Sequence, residues 1–277
     1  MHQPSRQTGF SLIEMIIVIS ITAIVGAMVA TFLRVPIDSY VAQDRRARLT
    51  DAADTALRRM GRDIRLALPN SVRVTTVGTT TYLEFLITRT GGRYRAEGGG
   101  DILDFMTADN SFDVLGPAIA MQAGDRIAVY NLGIPGADAW LGETLVRYAG
   151  LPGPTNTITL DTPPPPPLPL LGPPPFPRAS PGNRFQVVEG PVTYACEPVA
   201  GTLTRYWGYA ITAAQPTIAT LPAGTPQALL ARQVGACTIT YQQGITERGG
   251  LVSMTLELTQ AGETVRLHSN SQVSNQP

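Results

Sequence analysis

Residues 10–33, FSLIEMIIVISITAIVGAMVATFL, form an apolar run in which Glu14 is the single charge. As α-helix this run extends about 36 Å at about 1.5 Å per residue, enough to cross a hydrocarbon layer about 30 Å thick. No small-residue cleavage site of the A-x-A kind follows it; the chain continues Arg34, Val35, Pro36. The segment therefore reads as retained, not as a cleaved secretory signal. A carboxylate inside an apolar helix costs about 2.5–3.5 kcal/mol at a bilayer centre on insertion scales, and usually has a partner. The first turns of this helix contain no cation. Glu14 has to find its partner in a chain terminus, another subunit or the headgroup region.

Thr8-Gly9-Phe10-Ser11-Leu12-Ile13-Glu14 resembles the prepilin signature of type IV pilins and type II secretion pseudopilins. The resemblance implies cleavage by a prepilin peptidase between Gly9 and Phe10 and N-methylation of the new Phe10 amine. It implies that residues 10–33 anchor the subunit in inner-membrane lipid and then become the core of a fibre. In that fibre Glu14 would neutralise the terminal amine of a neighbouring subunit. The implied partners are major and minor pilins, the peptidase and the pilus assembly platform. The implied location is the inner membrane, with a single span and a periplasmic C-terminal domain, and later the fibre.

Charge and cysteine content fit an exported protein. Twenty-one arginines, with no lysine, balance 21 acidic residues; removal of residues 1–9 takes Arg6 away and leaves one net negative charge. A near-neutral chain gives no global reason to bind nucleic acid or an anionic surface. Cys196 and Cys237 are the two cysteines, and an even count in an oxidising compartment favours a disulfide. One rule disagrees: Arg34, Arg45, Arg46 and Arg48 follow the span against Arg6 before it, which by the positive-inside rule would keep the large domain in the cytoplasm. The leader signature dictates the opposite orientation, and large domains cross largely regardless of charge.

Beyond the span, Val41, Leu49, Ala53, Ala56, Leu57, Met60, Ile64, Ala67 and Leu68 recur mostly at three- and four-residue steps. This predicts an amphipathic helix within residues 34–69, with a kink or short break at Pro36 and an end at Pro69-Asn70. Its other face carries seven arginines interleaved with Asp44, Asp51, Asp54 and Asp63, read as a solvated face with i, i+4 ion pairs. No aromatic residues interleave with these arginines, so nucleic-acid binding is not expected.

Residues 70–277 change character to β-branched, aromatic, glycine and proline residues. Strands are predicted at 82–88, 102–105, 126–131, 144–148, 157–160, 185–188, 192–196, 203–211, 237–242, 251–258 and 264–267, with a helical turn at 229–233. One long helix followed by many short antiparallel strands gives the α+β class, here a pilin-like plan of helix packed on sheet. Residues 163–177, PPPPPLPLLGPPPFP, hold ten prolines and read as an exposed polyproline loop between two strand sets.

No catalytic, cofactor or metal constellation is found. The histidines are His2 and His268, and no His-x-x-x-His, G-x-S-x-G, Walker A or Rossmann pattern occurs. Asp101, Asp104, Asp109 and Asp113 lack the spacing of a calcium loop and read as turn residues. A membrane-tethered periplasmic enzyme or binding domain is the competing class. Within the pilin-like proteins, residues 56–73, ALRRMGRDIRLALPNSVR, resemble the MshO group of minor pilins from mannose-sensitive haemagglutinin (MSHA) pili. Segments 192–196, 229–237 and 273–275 agree with that resemblance. Pseudopilin J of type II secretion is the alternative; the pseudopilin K pattern lacks the Glu found here at position 14.

Overall fold

The computed structural model describes residues 9–162, 174–244 and 249–274, and the backbone but not the side chains of 33–38. The leader residues 1–8 and most of the proline run, 163–173, lie outside the described residues. Two units are present, Met1–Arg48 and Leu49–Pro277.

Helix α1 runs from Leu12 to Arg65. Of the kink or short break expected at Pro36, the break is not there: the backbone stays helical through that position. A proline removes one backbone donor, and long flanking helix already nucleated on both sides tolerates such a local loss. The predicted stripe is real within the second unit. Leu49, Ala53, Ala56, Leu57, Met60 and Ile64 are buried in one core, whereas Val41, in the first unit, is exposed. The helix ends three residues early, because Ala67 pairs with Ile87 as a β-bridge and Leu68 N–H donates to the Leu86 carbonyl.

Fourteen strands follow among the described residues: β1 (Arg73–Val77), β2 (Thr80–Tyr94), β3 (Ser111–Leu115), β4 (Ile119–Met121), β5 (Arg126–Ala128), β6 (Leu145–Arg147), β7 (Gly153–Thr155), β8 (Thr157–Thr159), β9 (Arg184–Glu197), β10 (Thr202–Trp207), β11 (Gln227–Arg232), β12 (Val234–Gln242), β13 (Gly250–Gln260) and β14 (Glu263–Val273). The largest sheet has nine strands along the path β11-β10-β9-β2-β3-β8, with β1 beside β2 and β5–β6 beside β9; β12–β13–β14 form a second sheet and β4–β7 a small third. All pairings are antiparallel.

The β2–β9 ladder is the spine. It runs from Thr81↔Cys196 to Arg93↔Arg184, with register shifts around Thr88. On one side of the bulges, Leu83, Phe85, Val192, Tyr194 and Cys196 face the α1 stripe together with Val252, Met254, Leu256 and Leu258 of β13. On the other side, the same two strands enter a second core around Tyr94, Phe112, Phe176, Phe185 and Val187. Gly91 and Gly92 permit that passage: a Cβ on Gly91 would stand 2.7 Å from the Phe185 carbonyl oxygen, and one on Gly92 2.8 Å from Ile119 Cδ1. The strand predicted at 82–88 runs on through these glycines, which are close-approach points inside it.

Several other expectations are corrected. Residues 102–105 are not a strand; Asp101 and Asp104 spend their side chains on local backbone and hydroxyl bonds that compete with a ladder. The helical turn expected at 229–233 is β11, paired to β10, with Gln233 at φ 61° turning the chain into β12. The two segments 185–188 and 192–196 are one strand, β9, with a register shift at Glu189, between Val188 and Gly190. Phe176, in the described end of the proline run, is fully buried in the second core, so that end is anchored and not exposed.

Cys196 on β9 and Cys237 on β12 are disulfide-bonded, with Cα atoms 6.6 Å apart across a sequence separation of 41. The bond ties the nine-stranded sheet to the three-stranded one beside Leu57 and Met60 of α1. Cys196→Ser should destabilise the second unit by about 2–5 kcal/mol, read as a lowered urea midpoint. An unchanged midpoint would show that packing alone holds the two sheets.

Candidate functional site at the N-terminal helix

Ser11 stands immediately before α1, and its Oγ accepts from Glu14 N–H at 3.3 Å. Glu14 is three positions after this cap, and its Oε2 lies 3.5 Å from Ser11 Oγ. Ser-Leu-Ile-Glu thus occupies the positions of a capping box, which satisfies orphan donors at a helix start. The carboxylate also lies in the first turn, where the positive end of the helix dipole favours negative charge. This role was missed in the sequence, although S-x-x-E before an apolar run is its signal. The cap takes up little of the carboxylate's capacity to accept hydrogen bonds.

Along the helix every side chain from Phe10 to Phe32 is exposed, Phe10 to 80 % and Phe32 to 84 %. Two of the hydroxyls within it are satisfied inside the helix: Ser20 donates to the Ile16 carbonyl at 2.8 Å, and Thr31 to Ala27 at 2.8 Å. An apolar segment with its polar groups paired internally is what a hydrocarbon environment requires. Among the described residues, Leu12–Phe32 is the one helix long and apolar enough to cross a membrane.

Residues 4–30 match the prokaryotic N-terminal methylation motif. This stretch contains Gly9, Phe10 and Glu14 and ends within the exposed apolar helix. The methylation motif supports a type IV pilin-like or pseudopilin protein, structural in kind, and the apolar helix fits a membrane-anchored subunit of that sort. Comparison of the chain with curated proteins and with solved structures gives no match.

Elsewhere the titratable groups are spent on architecture. Asp101, Asp104, Asp109 and Asp113 bind their own loop: Asp109 accepts from Asp104 N–H at 2.7 Å, Asp101 from Ser111 Oγ at 2.6 Å, and Asp113 from Asp101 N–H at 3.1 Å. Hydrogen bonds to the Thr107 hydroxyl and Met106 N–H hold the Asp104 carboxyl below its usual range. Among the described residues, no group of three His, Cys, Asp or Glu side chains could hold a metal ion. His268 sits on the exposed edge strand β14, 3.1 Å from Thr255 Oγ1.

Two buried polar networks were not legible from the chain. Asp63, expected on the solvated face of the helix, is buried; its Oδ2 accepts from Arg205 at 2.7 Å and from the Tyr194 hydroxyl at 2.8 Å, and Arg59 lies 3.3 Å from Oδ1. On the opposite face of the sheet, Glu84 is fully buried and meets Arg73 at 2.7 Å and the Tyr209 hydroxyl at 2.8 Å. Arg73 also donates to the carbonyls of Thr212 and Ala213 and stacks 3.6 Å over the Trp140 ring. This network pins segment 208–225 over Tyr82 and Tyr206.

Burial, and then the neighbouring Asp63 charge, raise the Tyr194 phenol well above its ordinary 10.0; burial and Glu84 do the same to Tyr209. A phenol that keeps its proton when folded, but loses it near pH 10 when unfolded, makes the unfolded state bind fewer protons. Stability therefore falls as pH rises above 10, by about 1.4 kcal/mol per pH unit for each such group. Tyr194→Phe should lower stability at neutral pH yet flatten the alkaline decline by one group's share, as read by urea titrations between pH 8 and 11. A decline as steep as that of the wild type would exclude Tyr194 as a source.

Proposed function

We propose that this protein is a minor subunit of a type IV pilus-like fibre, cut by a prepilin peptidase between Gly9 and Phe10 and N-methylated at Phe10. The observation that carries the reading is the exposed apolar helix, opened by Ser11 and Glu14 under a methylation motif and followed by a β-rich domain. The helix anchors the subunit in inner-membrane lipid with the β domain in the periplasm, and later packs among the helices of other pilins above the assembly platform. Within that class we assign it to the MSHA type. Residues 56–73 support this by their resemblance to the MshO group; in the fold they form the last turns of α1 and its entry into β1. A pseudopilin J-like subunit of type II secretion shares the same leader and plan, and co-purification with MSHA subunits or with secretion-channel subunits separates the two.

Mass spectrometry of mature protein should find N-methyl-Phe10 as the first residue. Gly9→Arg should block this processing, because a large charged side chain replaces a residue without one at the scissile bond. A full-length N-terminus in assembled fibres would overturn the reading.

Glu14 serves in fibre docking as well as in the cap. Beside the methylated amine of a neighbour it forms a charge pair that replaces its isolation in an apolar surround. Glu14→Leu should leave cleavage and membrane anchoring intact while the subunit accumulates in the membrane and its yield with other minor subunits falls. Glu14→Gln, which retains an acceptor for the cap but no charge, should show the same defect. Wild-type incorporation of both variants would make the carboxylate dispensable.

A further inference from the structure

Away from the N-terminal motif, a groove of about 410 Å³ opens between α1 and one end of the large sheet. Arg59 and Arg62 of α1 form one wall, and Arg205 and Trp207 of β10 with Ala228–Leu230 of β11 form the other. β11 is the outermost strand of that sheet, with β10 as its neighbour on one side. Trp207 N–H donates to the Pro226 carbonyl, which sets the phase of this antiparallel ladder. Arg205–Ala228 is then the next hydrogen-bonded pair, and Gln227 and Leu229 turn their N–H and C=O groups away from β10. The strand reads QALLAR, without the proline or lysine that commonly block such an edge.

The charge beside this edge is unbalanced. Three arginines line the groove, and the carboxylate that two of them meet is Asp63, buried and shared by Arg205, Arg59 and Tyr194. Arg62 is exposed and makes no ion pair among the described residues. In an added strand, alternate side chains would face α1 about 6.6 Å apart. The Cβ atoms of Arg59 and Arg62, one helical turn apart, stand about 5–6 Å from each other. Acidic residues at every second position of an extended segment match that spacing.

We propose that β11 accepts an extended acidic segment of a partner protein as an added strand. Its backbone pairs with Gln227 and Leu229, and its carboxylates lie against Arg62 and Arg59. Main-chain bonds supply affinity in this mode, and alternate side chains supply selectivity. The inference depends on the second unit alone and holds or fails independently of the fibre reading.

The test uses the full chain in detergent micelles and two fluorescein-labelled peptides, an alternating Val-Glu octapeptide and its Val-Lys counterpart. The acidic peptide should bind and the basic one should not. Arg62→Glu should weaken binding about tenfold or more, the loss of one charge-assisted contact. Leu229→Pro should do likewise, because it removes an outward donor without touching the β10 ladder; Gln227→Pro repeats that test if the first variant melts early. No binding of the acidic peptide, equal binding of both peptides, or binding indifferent to Leu229→Pro would overturn the proposal. Self-association of the chain abolished by Leu229→Pro would overturn it too, since the occupant would then be a second copy.

Discussion

The pairing of β2 with β9 is the constraint on which the second unit depends. Both strands exceed the length of an ordinary strand, and they are buried on both faces over Thr81–Leu86 and Gly190–Cys196. One face carries the α1 stripe and the other carries segment 208–225, held by Arg73, Glu84 and Tyr209. Past the bulges the same two strands serve a different core. A change at Gly91 or Gly92 would therefore act on the second core through the strand that also supports the first.

The N-terminal helix obeys a different physics. Its apolar side chains are exposed from Phe10 to Phe32, an extent of apolar surface that calls for lipid or for other helices. Inside the helix Ser20 and Thr31 are paired to carbonyls, so a hydrocarbon surround leaves these two hydroxyls satisfied. Glu14 is the one charge in that surface. The cap and the dipole tolerate a carboxylate at this position, and its remaining acceptor capacity is open to a cation from outside the chain.

Charge in the β domain is used to fix position. Asp63 and Glu84 are buried carboxylates, each held by an arginine and a tyrosine hydroxyl, on opposite faces of one sheet. Removing one partner from such a set would leave a buried group unsatisfied, which costs more than the intact interaction contributes. The same use of Asp63 leaves Arg62 without a carboxylate, which is why the α1 flank beside β11 is positive.

The sequence by itself determined the apolar span, the Gly9–Phe10–Glu14 constellation, the helix stripe and the α+β class. Each is a local or periodic pattern, and periodicity records which face will be buried whatever buries it. The disulfide between Cys196 and Cys237 was legible for a related reason, since two cysteines allow one pairing within a chain. Tertiary structure alone decided that β2 runs through Gly91-Gly92, that β9 runs through Gly190-Pro191 and that residues 227–232 are a strand. Local signals there favour turns, and cross-strand partners far along the chain outweigh them. It also decided that Asp63 and Glu84 are interior: a carboxylate reads as a surface residue until the arginine and the tyrosine that meet it, more than a hundred positions away for Tyr194 and Tyr209, are brought beside it by the fold.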